Sequence, residues 1–182
     1  MEGKEGKFIL KDVYREYFKT GVACEKISER FTNHEIGNPE KEALMKEQFN
    51  SMTFGNELKP DSMFGYVGAN PKTETVMFNG EELLVPVMDF SRADRGLDHI
   101  LKWNNQNPND IIKVRGHVLL WHSDQTPKWF YHENYDLTKP LASAETMSKR
   151  LEWYIASVAA HFNGPDSKYA DLFYAWDVVN EA

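Results

Sequence analysis

The sequence predicts an α/β fold built on a parallel sheet, open or closed, and two observations lead there. Short apolar runs with strand character alternate along the chain with stretches whose apolar residues recur at helical spacing. The last three of those strand runs also end in polar residues: Asn56, Glu57 and Lys59, then His117, Trp121 and His122, then Asn180 and Glu181. In parallel α/β folds, loops and side chains from several strands converge at the carboxyl ends of the sheet. The polarity therefore stands where a site would form.

Each element has its own local reason. "KDVYREYF" (11–18) reads as a short helix leading into an apolar strand over Thr20 to Cys24. "NPEKEALMKEQF" (38–49) follows, with Asn38 as N-cap, Pro39 at the first helical position and apolar residues at helical spacing. "SMTFGNELKP" (51–60) is a second strand running into polar residues, and 65–90 forms an irregular excursion or hairpin around Asn79-Gly80. "SRADRGLDHILKWNNQN" (91–107) is the next helix. Ser91 and Asp94 stand in capping-box spacing, and Leu97, Ile100, Leu101 and Asn104 share a face. "IIKVRGHVLLWH" (111–122) is a third strand, the stretch from Ser143 to Phe162 a long amphipathic helix, and "DLFYAWDVVNE" (171–181) a fourth strand. With no repeat, low-complexity tract or linker, the reading is one domain.

Composition narrows the function classes. At 182 residues, 41% of them hydrophobic and 13% aromatic, the chain can bury a sizeable single core. A net charge of -7, a pI near 5.4 and the lack of a Lys/Arg block argue against nucleic acid as a partner. The opening "MEGKEGKFILKD" is too charged for a signal peptide, and no apolar run approaches a membrane span, so no membrane partner is expected. The single cysteine, Cys24, lies in a strand and reads as a buried structural thiol.

The candidate chemistry sits at the strand ends. In a continuous strand, His117, Leu119 and Trp121 share one face. An imidazole beside an indole can make a sugar platform, with a polar tip on an apolar wall, or equally a core Trp with a backbone-bonded His. Glu181, at the end of a buried strand beside Trp176, would have its charged form desolvated, which suits a general acid. The alternative is a structural carboxylate paired with an Arg. Asn180 can donate to a substrate hydroxyl or simply make a turn. Lys59 can donate to sugar hydroxyls or stand solvated, and Glu57 reads as a pairing group. His34-Glu35 and His132-Glu133 lack a second His at zinc-binding spacing, and His117 and His122 fall on opposite strand faces, so no metal is expected. The glycines of "GYVGAN" fit neither a dinucleotide loop nor a P-loop, and no cofactor is implied.

Three motifs in order carry a family resemblance: "FGNELKPD" (54–61), "GHVLLWHSDQTPKWF" (116–130) and "WDVVNEA" (176–182). Together they resemble glycoside hydrolase family 10, the retaining endo-β-1,4-xylanases, and the resemblance runs from Val13 to Ala182. It implies an α/β (β/α)8 TIM barrel of which this chain supplies roughly the first four βα units. Residues 1–182 would then be the amino-terminal half of a single catalytic barrel. By the same resemblance, Glu181 is the general acid/base and Asn180 its neighbour at the 2-hydroxyl of the −1 sugar. Asn56 and Lys59 bind on the glycone side, His117 and Trp121 surround the −1 sugar, and Gln125 is a weaker counterpart. The chain departs from the family pattern at Gly55, where a Glu commonly stands, and at Asp124, which separates Ser123 from Gln125.

The resemblance also implies endo-acting hydrolysis of β-1,4-xylosidic bonds by double displacement, with the nucleophile Glu outside this chain. A retaining pair requires two carboxyl groups about 5–5.5 Å apart. The partners expected are xylan or xylooligosaccharides and a second polypeptide segment completing the barrel. The alternative is a non-catalytic xylan-binding or self-associating half-barrel, since four βα units leave a sheet edge and apolar surface uncovered. A polymeric substrate points to secretion while the opening carries no signal peptide, so the compartment stays open.

Overall fold

The computed structural model describes residues 8–24, 35–121 and 125–181. In chain order the regular elements are α1 (Leu10–Val13), β1 (Gly21–Cys24), α2 (Pro39–Gln48), β2 (Ser51–Phe54), α3 (Pro60–Met63), β3 (Thr73–Phe78), β4 (Glu81–Pro86), α4 (Ser91–Gln106), β5 (Lys113–Gly116), β6 (Leu120–Trp121), two 3₁₀ turns over Lys128–Tyr131 and Glu133–Tyr135, α5 (Ala144–Asn163), β7 (Phe173–Trp176) and β8 (Val179–Asn180).

Strands β1, β2, β5 and β7 form one four-stranded sheet in that order, with every pair parallel. Gly21 lies opposite Ser51, and Ser51 opposite Lys113. The period-two alternation of a strand divides the side chains. Cys24, Met52, Phe54 and Val114 are fully buried on the outer face, in one core with Leu97 and Ile100 of α4 and Val158 and Phe162 of α5. The opposite face lines an open groove of about 480 Å³ that includes Lys19, Ser51, Thr53, Arg115, His117 and Tyr174. There the Ser51 and Tyr174 hydroxyls meet at 2.9 Å.

Local signals explain most of the elements. Asn38 caps α2, its Oδ1 accepting from the Glu40 and Lys41 N–H groups at 3.1 Å, with Pro39 in the first turn as expected. Asn79 and Gly80 take φ of 51° and 84°, the pair of positive values a two-residue hairpin turn needs, and they join β3 to β4 in full antiparallel register. That hairpin is fastened to α5, where Asn79 Nδ2 donates to Glu152 at 2.9 Å and Lys149 pairs with Glu81 at 2.6 Å. Between them, Phe64, Trp129, Phe130, Tyr135 and Tyr154 form an aromatic cluster closed by buried Arg150, which donates to the Phe130 and His132 carbonyls at 2.8 Å.

Two expectations need correction. Ser91 is not a cap: it is the first residue of α4, and its N–H is taken by Asp89 Oδ1 at 3.0 Å, while Asp94 turns to His161 Nε2 at 2.8 Å. The third and fourth strands are also shorter than their apolar runs. β5 ends at Gly116 and β7 at Trp176, and the chain re-pairs beyond them as the small parallel ladder β6–β8, with Leu120 opposite Val179 and Trp121 opposite Asn180. The break is held by backbone bonds, Asp177 N to Gly116 O at 2.9 Å, Leu119 N to Asp177 O at 3.0 Å and Leu120 N to Val178 O at 3.1 Å. Sequence patterning cannot show this, because the two breaks match only in three dimensions.

At the break, Trp176 lies flat over Gly116. A Cβ on residue 116 would stand 2.3 Å from the indole ring, so only glycine fits. The indole stacks on Phe173, with ring centroids 4.9 Å apart, and donates to Asn163 Oδ1 at 2.8 Å. A register shift beside Val114 puts Phe173 and Trp176 on the same outward face.

Candidate active site

Six of the seven predicted site residues gather by contact around Trp121 or beside it. The Trp121 indole N–H donates to Glu181 Oε2 at 3.0 Å. The Lys59 ammonium stands over the indole, 4.8 Å from its centroid, and also donates to Asn56 Oδ1 at 3.0 Å. His117 meets Trp121 edge-to-face at 5.5 Å, and Asn180 is Trp121's ladder partner. Gln125 stands apart from this ring of contacts; its backbone carbonyl accepts from the Asp61 N–H at 3.0 Å, tying its loop to the start of α3. His122, Ser123 and Asp124 lie outside the described residues, as does His34.

Each position has a structural cause. Asn56 and Lys59 flank the tight turn after β2, closed by Lys59 N to Asn56 O at 3.0 Å, and Pro60 then starts α3. Trp121 and Asn180 are neighbours because β6 and β8 pair in parallel. His117 and Trp121 come together as expected, but for a different reason. They are not alternate residues of one strand: His117 follows the end of β5, a cis peptide joins it to Val118, and the chain restarts as β6.

Asp177 is the candidate site residue that sequence reasoning missed. Its Oδ2 holds His117 Nδ1 at 2.8 Å, and its Oδ1 accepts from Arg115 Nε and Nη2, each at 2.9 Å. A carboxylate only accepts, so Nδ1 carries the hydrogen and Nε2 is left to face other groups as an acceptor. The signal was in plain view: an acid at the break of an apolar strand, with Arg115 and His117 at the matching break of its neighbour. What hid it was a separation of 60 residues.

Glu181 departs from its expected environment. It is exposed rather than buried, and its neighbour is Trp121; Trp176 faces the core and Asn163 instead. Its backbone is left-handed, with φ of 50°, which costs a side chain of this kind about 1–2 kcal/mol. Strain of that sort persists where surrounding contacts hold it, here the β6–β8 ladder and the indole bond. Cys24 is buried and free as expected; burial, with Glu35 and Glu57 nearby, pushes its thiol up to about 12.

Among the described residues no group of three or more His, Cys, Asp or Glu could hold a metal ion, and no helix is long and apolar enough to cross a membrane. What the arrangement offers is an aromatic wall edged by a cation, amides, an oriented imidazole and an accessible carboxylate. Such a set can stack on a neutral ring, bond its hydroxyls and exchange one proton.

The family model for glycosyl hydrolase family 10 matches residues 9–182. Endo-1,4-beta-xylanase B of Butyrivibrio fibrisolvens is 37% identical over 172 residues, and endo-1,4-beta-xylanase A of Thermotoga maritima 36% over 173; these cover 94% and 95% of this chain but 23% and 13% of those proteins. Among solved structures, the CBM22-1–GH10 modules of Clostridium thermocellum xylanase 10B, complexed with xylohexaose, superpose with a TM-score of 0.68 at 31% identity. A psychrophilic family 10 endo-beta-1,4-xylanase gives 0.60 at 31%. This chain is covered to 94% and 95% in those two superpositions, and spans 28% and 41% of the two structures.

Proposed function

Because the chain belongs to glycosyl hydrolase family 10, we propose that it contributes the acid/base half of an active site for endo-acting hydrolysis of β-1,4-xylosidic bonds in xylan. Its four-stranded parallel sheet is the amino-terminal part of a (β/α)8 barrel, with the site at the strands' carboxyl ends. The observation that carries the reading is the bond from the Trp121 indole to the Glu181 carboxylate, which hangs a proton donor on the wall shared by Lys59 and His117.

In this reading Glu181 protonates the glycosidic oxygen as the leaving sugar departs, and then takes a proton from the water that attacks the glycosyl-enzyme intermediate. Trp121 fixes the carboxyl from one side by its N–H. Asn180 reaches the 2-hydroxyl of the −1 sugar, and Asn56 and Lys59 bind the glycone, Lys59 already oriented by the Asn56 amide. His117, its Nδ1 held by Asp177, turns Nε2 toward a sugar hydroxyl. Gln125, on its own loop, is a weaker substrate-binding candidate. The nucleophilic Glu belongs, in this reading, to a further polypeptide segment that completes the barrel against β1 and β7, the outer strands of the sheet among the described residues.

The test is to combine this chain with such a segment, covalently or in trans, and to follow reducing ends released from xylan. Activity is expected, with the β-anomer as first product by ¹H NMR, and Glu181→Gln should lower turnover by about 10²–10⁴-fold. Full activity in Glu181→Gln, or an α-anomer as first product, would sink the assignment.

A further inference from the structure

Beyond the ring of residues around Trp121, the loop after α3 displays an aromatic side chain with no role in the core. Tyr66 is 49% exposed, although both it and Gly65 are left-handed, with φ of 55° and 77°. A bulky residue rarely adopts that backbone. The loop is nonetheless pinned on every side. Tyr66 N donates to Asp61 O at 2.9 Å, and Gly65 N to Ser62 O at 2.9 Å. The buried Trp129 indole donates to Val67 O at 2.7 Å, and Asp89 N to Met63 O at 2.7 Å.

Charged groups frame the ring. The Arg92 guanidinium stands 5.0 Å over it and is itself held by Asp89 Oδ2 at 3.0 Å. The Asp61 carboxylate, partly buried, has no hydrogen-bond or ion partner among the described residues, and that burial pushes it above the usual carboxylate range. Asp61 lies in the first turn of α3, two residues after Lys59. The Asp61 N–H also ties it to Gln125.

We infer that Tyr66, Arg92 and Asp61 form a further sugar subsite, where one pyranose ring of a neutral β-linked chain stacks on Tyr66 while Arg92 donates to its hydroxyls and Asp61 accepts from them. The inference rests on the xylan reading above, and it extends the bound chain past Asn56 and Lys59 on the glycone side. An aromatic face held rigidly and half open loses little entropy on binding, which is what makes such a ring useful as a platform. The guanidinium lies over one face of the ring, and about half of the residue stays exposed.

The 182-residue chain titrated calorimetrically with xylobiose and with xylohexaose tests this. Xylohexaose should bind about tenfold more tightly than xylobiose, and Tyr66→Ala should remove that difference while leaving xylobiose binding unchanged. Tyr66→Gly removes the same ring but relaxes the left-handed backbone, so it separates loss of the platform from loss of the fold. A length preference that survives in both variants, or parent affinities equal for the two ligands, overturns the subsite alone. No binding of either ligand to the parent chain overturns the xylan reading and the subsite with it.

Discussion

Gly116→Ala is the sharpest probe of how the two halves of the site are held together. The added methyl would stand 2.3 Å from Cδ2 and Cε3 of Trp176, far inside van der Waals contact, and neither partner can yield freely. The backbone at 116 is fixed by the Asp177 N–H, and the indole by its stack on Phe173 and its bond to Asn163. Forcing an extra carbon into a packed site costs about 1–3 kcal/mol. Displacing the ring forfeits a hydrogen bond of about 1 kcal/mol and an aromatic contact of about 0.5–1.5 kcal/mol. Since relaxation trades one loss for another, the expected cost is about 2–4 kcal/mol. For a chain of this size that lowers the thermal midpoint by about 5–15 °C. The assay is urea and thermal unfolding of the parent, Gly116→Ala, Trp176→Leu and the double variant. Gly116→Ala should cost under about 1 kcal/mol once the indole is gone, because the clash has no second party. An equal cost in both backgrounds, or a cost below about 0.5 kcal/mol in the parent, would refute the close approach as the reason for glycine.

Further expectations follow from the same contacts. Asp177→Asn removes the acceptor shared by Arg115 and His117, so it should lower xylan turnover in the completed barrel by about tenfold or more while moving the unfolding midpoint little, since Arg115 is half exposed; parent-like kinetics would show that imidazole orientation does not matter. Cys24, with its thiol pushed up to about 12, holds almost no thiolate at pH 8 and should resist iodoacetamide until urea unfolds the chain. Rapid labelling of the native protein, read by intact mass, would contradict its burial against Met45.

How far the sequence could be read depended on how local each cause was. Asn38-Pro39 and Asn79-Gly80 act within a few residues of themselves, so the α2 start and the hairpin were legible and are observed. The polar strand ends were legible too, since the carboxyl ends of parallel strands collect functional groups whatever the details. Three features were not. The apolar run 111–122 hides a break that exists only because 177–178 run beside it. Ser91 matched a capping spacing, but Asp89 took its N–H first. Glu181 was expected in a dry setting because the fourth strand was read as continuous, whereas β7 stops five residues earlier and leaves the carboxylate in the open.

The separation of 60 residues between Trp121 and Glu181, and between His117 and Asp177, bears on when the site comes into being. A ribosome making this chain delivers Asn56, Lys59, His117 and Trp121 well before Asp177 and Glu181, the hydrogen-bond partners of the last two. The late segment 173–181 supplies at one stroke the partner strand of β5, the carboxylate for His117 and the acid beside Trp121. Contacts of such long sequence separation form late, after their loop entropy has been met. Successive carboxyl-terminal shortening should therefore leave much of the helical signal in place while the contacts of Glu181, Asn180 and Asp177 go first, before β7 itself is cut.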